Sequence, residues 1–270
     1  MAFSTLGCPD WNLLEIADFA AAHGFNGIEV RGLEREMNLT QSKEFRTPRA
    51  IAGSLATLKD RNLNFVALGS SAQLHIGEPN LRKTQLDEGK RFVDLAHEIE
   101  CPFVRVFPNK LDEGPVKSMA LDLIISGMLE LADYAEGSGV CVLLETHGDL
   151  LQTEDIVAVM QQVMSEQTGL LWDVTNVWSA TGEDPGSLYP KIREFTRHLH
   201  IKDMEWVDGK IRYMRLGKGI VPLSSAIHSL LEGGYRGYFC FEWEKLWHEE
   251  IGDPAIAISE FTKILPGYIK

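Results

Sequence analysis

A single-domain (β/α)8 barrel is the α/β fold this sequence predicts, on three observations. Short apolar runs alternate with amphipathic helical patterns along the chain, at roughly thirty residues per unit. The turn after the first apolar run, Leu6-Gly7-Cys8-Pro9-Asp10, lacks the G-x-G-x-x-G that a doubly wound sheet would carry there. No linker, charge block or low-complexity stretch divides residues 1–270, so one domain spans the chain.

Taken in order, strands are expected at Ala2 to Leu6, Gly27 to Arg31, Asn64 to Leu68, Phe103 to Phe107, Val140 to Leu144, Gly169 to Asp173, His198 to Ile201 and Gly237 to Phe241. Helices fill the intervals. Leu13, Ile16, Ala17 and Ala20 follow helical spacing, with Asn12 as cap, Glu15 answering it three residues on, and Gly24 as the stop. Ile156, Val159, Met160 and Val163 repeat the pattern behind Thr153, with Glu154 and Asp155 in the first turn. Leu223, Ala226, Ile227 and Leu230 do so behind Pro222, and Gly233-Gly234 ends the run. Gly24-Phe25-Asn26-Gly27 and Gly234-Tyr235-Arg236-Gly237 share a Gly-aromatic-x-Gly pattern, as if one helix-to-strand turn occurs twice.

Composition excludes several function classes. Apolar residues make up 44% of the chain, enough for a large core, and the formal net charge is −13. So acidic a surface repels phosphate backbones and anionic lipids, which argues against nucleic-acid and membrane partners. The start, Met1-Ala2-Phe3-Ser4, is not a secretory signal, and no run of eighteen apolar residues occurs. Cys8, Cys101, Cys141 and Cys240 show no close pairing and read as small hydrophobes in a reducing compartment. A cytoplasmic location is the expectation.

Four segments run from an apolar stretch directly into acidic or imidazole side chains: Val142 to His147, Leu170 to Asp173, His198 to Asp203 and Tyr238 to Glu242. They close strands five to eight, and in a barrel the C-terminal strand ends surround the active site. Taken singly, a carboxylate there is as readily the N-cap of the next helix, and a histidine more often a core residue. Four buried polar groups converging without a cation would be costly, so the set points to a metal-dependent enzyme.

At these residues the sequence resembles the sugar-phosphate isomerase/epimerase family of xylose-isomerase-like TIM barrels. The likeness runs from Gly27-Ile28-Glu29-Val30-Arg31 to Gly237-Tyr238-Phe239-Cys240-Phe241-Glu242. It implies one divalent metal ion on Glu145, Asp173, His200 and Glu242. Three carboxylates and one imidazole favour Mn2+ or Mg2+, with Co2+ or Zn2+ possible. The implied reaction is isomerisation or epimerisation of a ketose, polyol-derived ketone or hydroxy-keto acid through a metal-stabilised enediolate. Glu145 and Glu242, three strands apart, would be the acid/base pair. An inosose-dehydratase-like elimination uses the same site. A non-catalytic carbohydrate-binding barrel would not need two bases. An apurinic-endonuclease-like nuclease would need more strand-end histidines and a basic groove.

Further substrate contacts are expected from His147 and Asn176, the latter where the family often has a histidine. Lys202, Glu29 with Arg31, and Arg215 on a Gly-rich loop able to close over the site complete the set, and the aromatic cluster of Trp243 and Trp247 is a candidate pocket wall. The expected partner is a small sugar or related polyol or keto acid, with homo-oligomers possible.

Overall fold

A computed structural model of the chain describes residues 1–109 and 117–269. Eight parallel strands close a barrel in the order β1-β10-β7-β6-β5-β4-β3-β2. They are β1 (Ala2–Ser4), β2 (Gly27–Val30), β3 (Asn64–Gln73), β4 (Phe103–Phe107), β5 (Cys141–Glu145), β6 (Thr168–Asp173), β7 (Thr196–Ile201) and β10 (Phe239–Phe241). Around them pack α1 (Leu13–Ala22), α2 (Pro48–Lys59), α3 (Pro79–Glu98), α4 (Lys117–Ala135), α5 (Thr153–Val163), α6 (Val174–Thr181), α7 (Pro185–Ile192), α8 (Leu223–Glu232) and α9 (Pro254–Ile269).

The expected caps form where the side-chain chemistry requires them. Asn12 Oδ1 accepts from the Leu14 and Glu15 amides, and Glu15 accepts from the Asn12 amide, closing a capping box. Gly24 and Gly234 have φ of 78° and 79°, so the two Gly-aromatic turns share a left-handed residue. Helix α5 begins at Thr153 itself, with Gln152 in the cap position.

Several boundaries differ from expectation: β1 ends two residues early, where Thr5–Gly7 form a 3-10 turn, and β7 starts two residues early, at Thr196. Strand β3 continues to Gln73 because its far end keeps pairing with β4, across a register shift, and Ser70 Oγ donates to Arg105 O at 2.6 Å. Strand β10 starts two residues late because the Tyr235 hydroxyl donates to Tyr238 O and its ring occupies the space beside Gly237. One element was not anticipated: the antiparallel hairpin β8 (Asp203–Val207) and β9 (Lys210–Met214). Its turn is Asp208-Gly209, both at positive φ, a strong two-residue hairpin signal.

Alternation along the strands divides the interior into layers. The larger core lies between barrel and helices, with Leu144, Trp172, Leu199 and Phe241 all fully buried there. Inside the barrel, one end is apolar, built from clusters of Ala2, Val66 and Cys240, and of Cys141, Leu143 and Leu171. Two residues further along β5, β6 and β10 the inward positions become Glu145, Asp173 and Glu242. The charged layer therefore rests on a packed floor that is apolar except for the buried Glu29 and His198. No helix among the described residues is long and apolar enough to cross a membrane.

Candidate metal centre and active site

Glu145 is the last residue of β5 and Asp173 the last of β6, while Glu242 directly follows β10. Asp173 and His200 are register partners across β6 and β7. All four residues are buried, and one donor atom from each lies within 4.8 Å of the others. His200 Nδ1 faces Glu242 Oε1 at 3.2 Å, Glu145 Oε1 at 3.6 Å and Asp173 Oδ2 at 3.8 Å, without a directed hydrogen bond to any of them. Asp173 serves two roles at once: its Oδ1 caps α6 by accepting from the Asn176 amide, while Oδ2 turns to the centre.

The other ring nitrogen is already committed. His200 Nε2 donates to Glu29 at 2.9–3.0 Å, and His198 Nε2 reaches the same carboxylate at 3.0 Å. Residues 198, 200 and 202 alternate into the barrel, so β7 stacks two imidazoles beneath an ammonium. Lys202 Nζ lies 2.7 Å from Glu242 Oε2, 2.7 Å from Glu244 Oε1 and 2.8 Å from Asp173 Oδ2. Arg105 Nε lies 3.0 Å from Glu145 Oε2. Each glutamate of the pair thus has its own cation.

These contacts set the ionisation. Burial alone pushes Glu145 up, but Arg105 and His200 outweigh it and hold the carboxyl below the usual range. The same balance, with His200 and Lys202 as the cations, holds Glu242 well below it. Glu244 goes the other way: burial dominates and Glu242 adds repulsion, against the opposing pull of Lys202. Burial pulls His200 down, yet Glu242 and Glu29 overcome it and raise the imidazole well above its ordinary value. A proton on Nδ1 offsets part of the negative charge of the inward carboxylates. A divalent cation fits in place of that proton, because the Nδ1 and carboxylate donors already converge and Glu29 leaves Nδ1 as the outward atom.

A cavity of about 230 Å3 opens above this layer, bordered by Arg31, Arg105, His147, Lys202, Glu242 and Trp247 among others. A larger hollow of about 680 Å3 lies beside Asn62 to Phe65, where β3 begins, and contains none of the four convergent residues. The four convergent residues and this cavity sit at the C-terminal end of the barrel, where such barrels carry their active sites.

The remaining expectations divide. His147 borders the cavity, its Nδ1 paired with Asn109 Oδ1 at 3.0 Å and its ring on Phe107. Lys202 is at the centre. Asn176 lies beside it, with its side-chain amide donating to Thr146 O. Two placements correct the expectation. Glu29, only 2% exposed, cannot hold the far end of a sugar, because both its oxygens are taken by histidines inside the barrel. Arg215 does not reach the cavity: it pairs with Glu260 at 2.8 Å. Its loop is fastened by Asp203, whose carboxylate accepts from the Met204, Gly217, Gly219 and Val221 amides. Trp247 borders the cavity, whereas Trp243 is buried and stacks on Phe241.

Arg105, Glu244 and His198 were missed. Arg105 carried a signal: a single arginine inside the apolar run Phe103-Val104-Arg105-Val106-Phe107 is a charge committed to a buried strand.

Residues 17–261 match the family model described as the xylose isomerase-like TIM barrel. The chain belongs to that family. A fructoselysine 3-epimerase of Shigella flexneri is 22% identical over 207 residues, 73% of each protein. An inosose dehydratase of Serratia proteamaculans is 26% identical over 152 residues, 50% of this chain and 49% of the relative. Among solved structures, a D-psicose 3-epimerase from Clostridium cellulolyticum H10 with D-tagatose superposes with a TM-score of 0.77 at 14% identity, covering 99% of this chain and 98% of the other. Proteins similar to this family member thus include ones named as sugar epimerases, a dehydratase and a decarboxylase.

Proposed function

We propose that this xylose isomerase-like barrel is a divalent-metal-dependent isomerase or epimerase acting on a small ketose, polyol-derived ketone or hydroxy-keto acid. One observation carries the reading: Glu145 and Glu242 face each other across His200, and each is held as a carboxylate by its own cation. A binding site needs no such pair, whereas moving a proton from one face of a carbon to the other does.

Glu145, Asp173, His200 and Glu242 would hold the cation, with Mn2+ or Mg2+ favoured by the three carboxylates. When bound, it supplies Lewis-acid polarisation of the substrate carbonyl and so acidifies the adjacent C–H bond. One glutamate removes that proton as the electron pair moves toward the carbonyl oxygen. The other returns a proton to the opposite face, which inverts the carbon. Lys202, 2.7 Å from Glu242, keeps a proton within reach of that carboxylate. Arg105 fixes Glu145 from the other side. If only one glutamate exchanges protons, the outcome is a 1,2-isomerisation. Expulsion of a hydroxyl from the carbon next to the deprotonated one, with a proton supplied to it as it leaves as water, gives the dehydratase reading, consistent with the inosose dehydratase likeness.

The test is C–H exchange in D2O. Metal-loaded protein, incubated with a panel of ketoses and oxo acids, is followed by NMR for one deuterium gained beside the carbonyl. Glu145→Gln and Glu242→Gln should each abolish exchange while leaving the fold intact. Ligands that bind without exchange in the wild type would support the non-catalytic barrel instead.

A further inference from the structure

Among the described residues three cations border the cavity, and two of them are matched. Arg105 is paired with Glu145, and Lys202 lies against three carboxylates. Arg31, only 6% exposed, has no such partner among the described residues. Its Nη1 donates to Gly69 O at 3.3 Å and its Nη2 to Ser71 Oγ at 3.1 Å, both neutral acceptors. Among the described residues no carboxylate lies within 4.0 Å of it. A guanidinium has five N–H donors, and these two contacts use only part of that capacity.

Its neighbourhood sharpens the need for an anion. Burial and the Arg105 charge together pull Arg31 down to about 9, so it stays charged near neutrality while Glu145, Glu88 and Glu242 act only from a distance. The two guanidiniums share the Phe107 ring, with Arg105 Cζ 3.7 Å and Arg31 Cζ 5.9 Å from its centroid. A Cβ on Gly69 would lie 2.6 Å from Arg31 Cδ and 2.8 Å from Arg105 Nη2, so glycine there allows both chains to cross β3. A buried cation lacking a counter-ion is costly, and one at the edge of a reaction cavity is a receptor waiting for a charged group.

We propose that Arg31 receives a substrate carboxylate, so that the molecule processed between Glu145 and Glu242 is a small hydroxy-oxo acid and not a neutral ketose. This rests on the reading of that pair as acting beside a carbonyl. The guanidinium fork matches a carboxylate bidentately. The flat Phe107 ring beneath it suits a planar anion, and a cavity of about 230 Å3 suits a compact acid.

The test uses matched ligands on the metal-loaded protein, followed by calorimetry. Hydroxypyruvate is paired with dihydroxyacetone, and 5-keto-D-gluconate with L-sorbose, each pair differing by a carboxylate in place of a CH2OH. Dihydroxyacetone phosphate is the phosphate arm. At least one acid should bind at least about ten-fold tighter than its neutral partner, and Arg31→Gln should remove most of that difference. Arg31→Lys, which keeps the charge but loses the fork, should retain part of it. In the unaltered protein, acid binding should weaken with added salt, a readout that does not depend on any variant folding. Equal binding of acid and neutral partner, a preference that survives Arg31→Gln, or tighter binding of the phosphate would overturn the proposal. Arg31-dependent acid binding without deuterium exchange would leave Arg31 standing as a carboxylate site while removing the isomerase reading. Exchange confined to neutral ketoses would do the reverse.

Discussion

Glu29 and His200 are joined inside the barrel by Nε2–H···O contacts of 2.9 and 3.0 Å, on the side of the ring away from the convergent carboxylates. The carboxylate fixes which nitrogen carries the inner proton, and thereby which one faces the centre. Residues 171 positions apart in sequence thus set the orientation of one donor.

Removing that clamp should weaken the metal site without touching its donors. Glu29→Gln is expected to lower metal affinity by roughly 10–100-fold, the range seen when a partner behind a ligating histidine is lost. A competition titration against a chelator reads this directly. Unchanged affinity would mean that packing alone orients His200.

Metal binding should release protons. His200 is held above its ordinary value by Glu242 and Glu29 despite burial, so in the metal-free protein it remains protonated through neutral pH. The cation displaces that proton, giving about one proton released per metal near pH 7 and affinity that falls as pH falls. Calorimetry in buffers of different ionisation enthalpy measures the count. The stability of the metal-free protein has the opposite sign. A histidine raised by folding contributes stability that is complete below its ordinary range and is lost as pH rises through the raised value. Metal-free protein should therefore melt at lower temperature on the alkaline side, and added metal should reduce that loss.

Asp203 holds the segment after the hairpin to the barrel. Asp203→Ala leaves the Met204, Gly217, Gly219 and Val221 amides without their acceptor. The expected cost is about 1–3 kcal/mol of stability, measured by urea unfolding, with metal stoichiometry retained. Loss of metal together with stability would mean that this segment also supports the centre.

Gly69→Ala should disturb two arginines at once. Its Cβ would press on Arg31 Cδ and Arg105 Nη2, and the guanidiniums are buried too deeply to swing clear. A stability loss of roughly 1–3 kcal/mol is expected, together with slower deuterium exchange as Arg105 shifts from Glu145. Full activity would show that the pair can repack.

The strands were legible because each is a buried apolar run of the right length, and the convergence of Glu145, Asp173, His200 and Glu242 because strand ends mark one face of a barrel. What the sequence concealed was pairing. Nothing local distinguishes a Glu29 that binds substrate from one that grips His198 and His200, since the difference lies in β7 crossing the barrel from β2. Arg215 misled for the same reason: a glycine-rich loop suggests mobility until Asp203 is seen to fasten it. The hairpin, by contrast, was announced by Asp208-Gly209 and passed over because its strands are half exposed and lack an apolar run.

The most direct test of the central claim is the metal content of purified protein after dialysis against trace Mn2+, Co2+ and Zn2+, for the unaltered chain and for Glu242→Gln. The expected result is about one divalent ion per chain, substantially reduced in the variant. No bound metal in the unaltered chain, or equal content in both proteins, would contradict the assignment of Glu145, Asp173, His200 and Glu242 as its ligands.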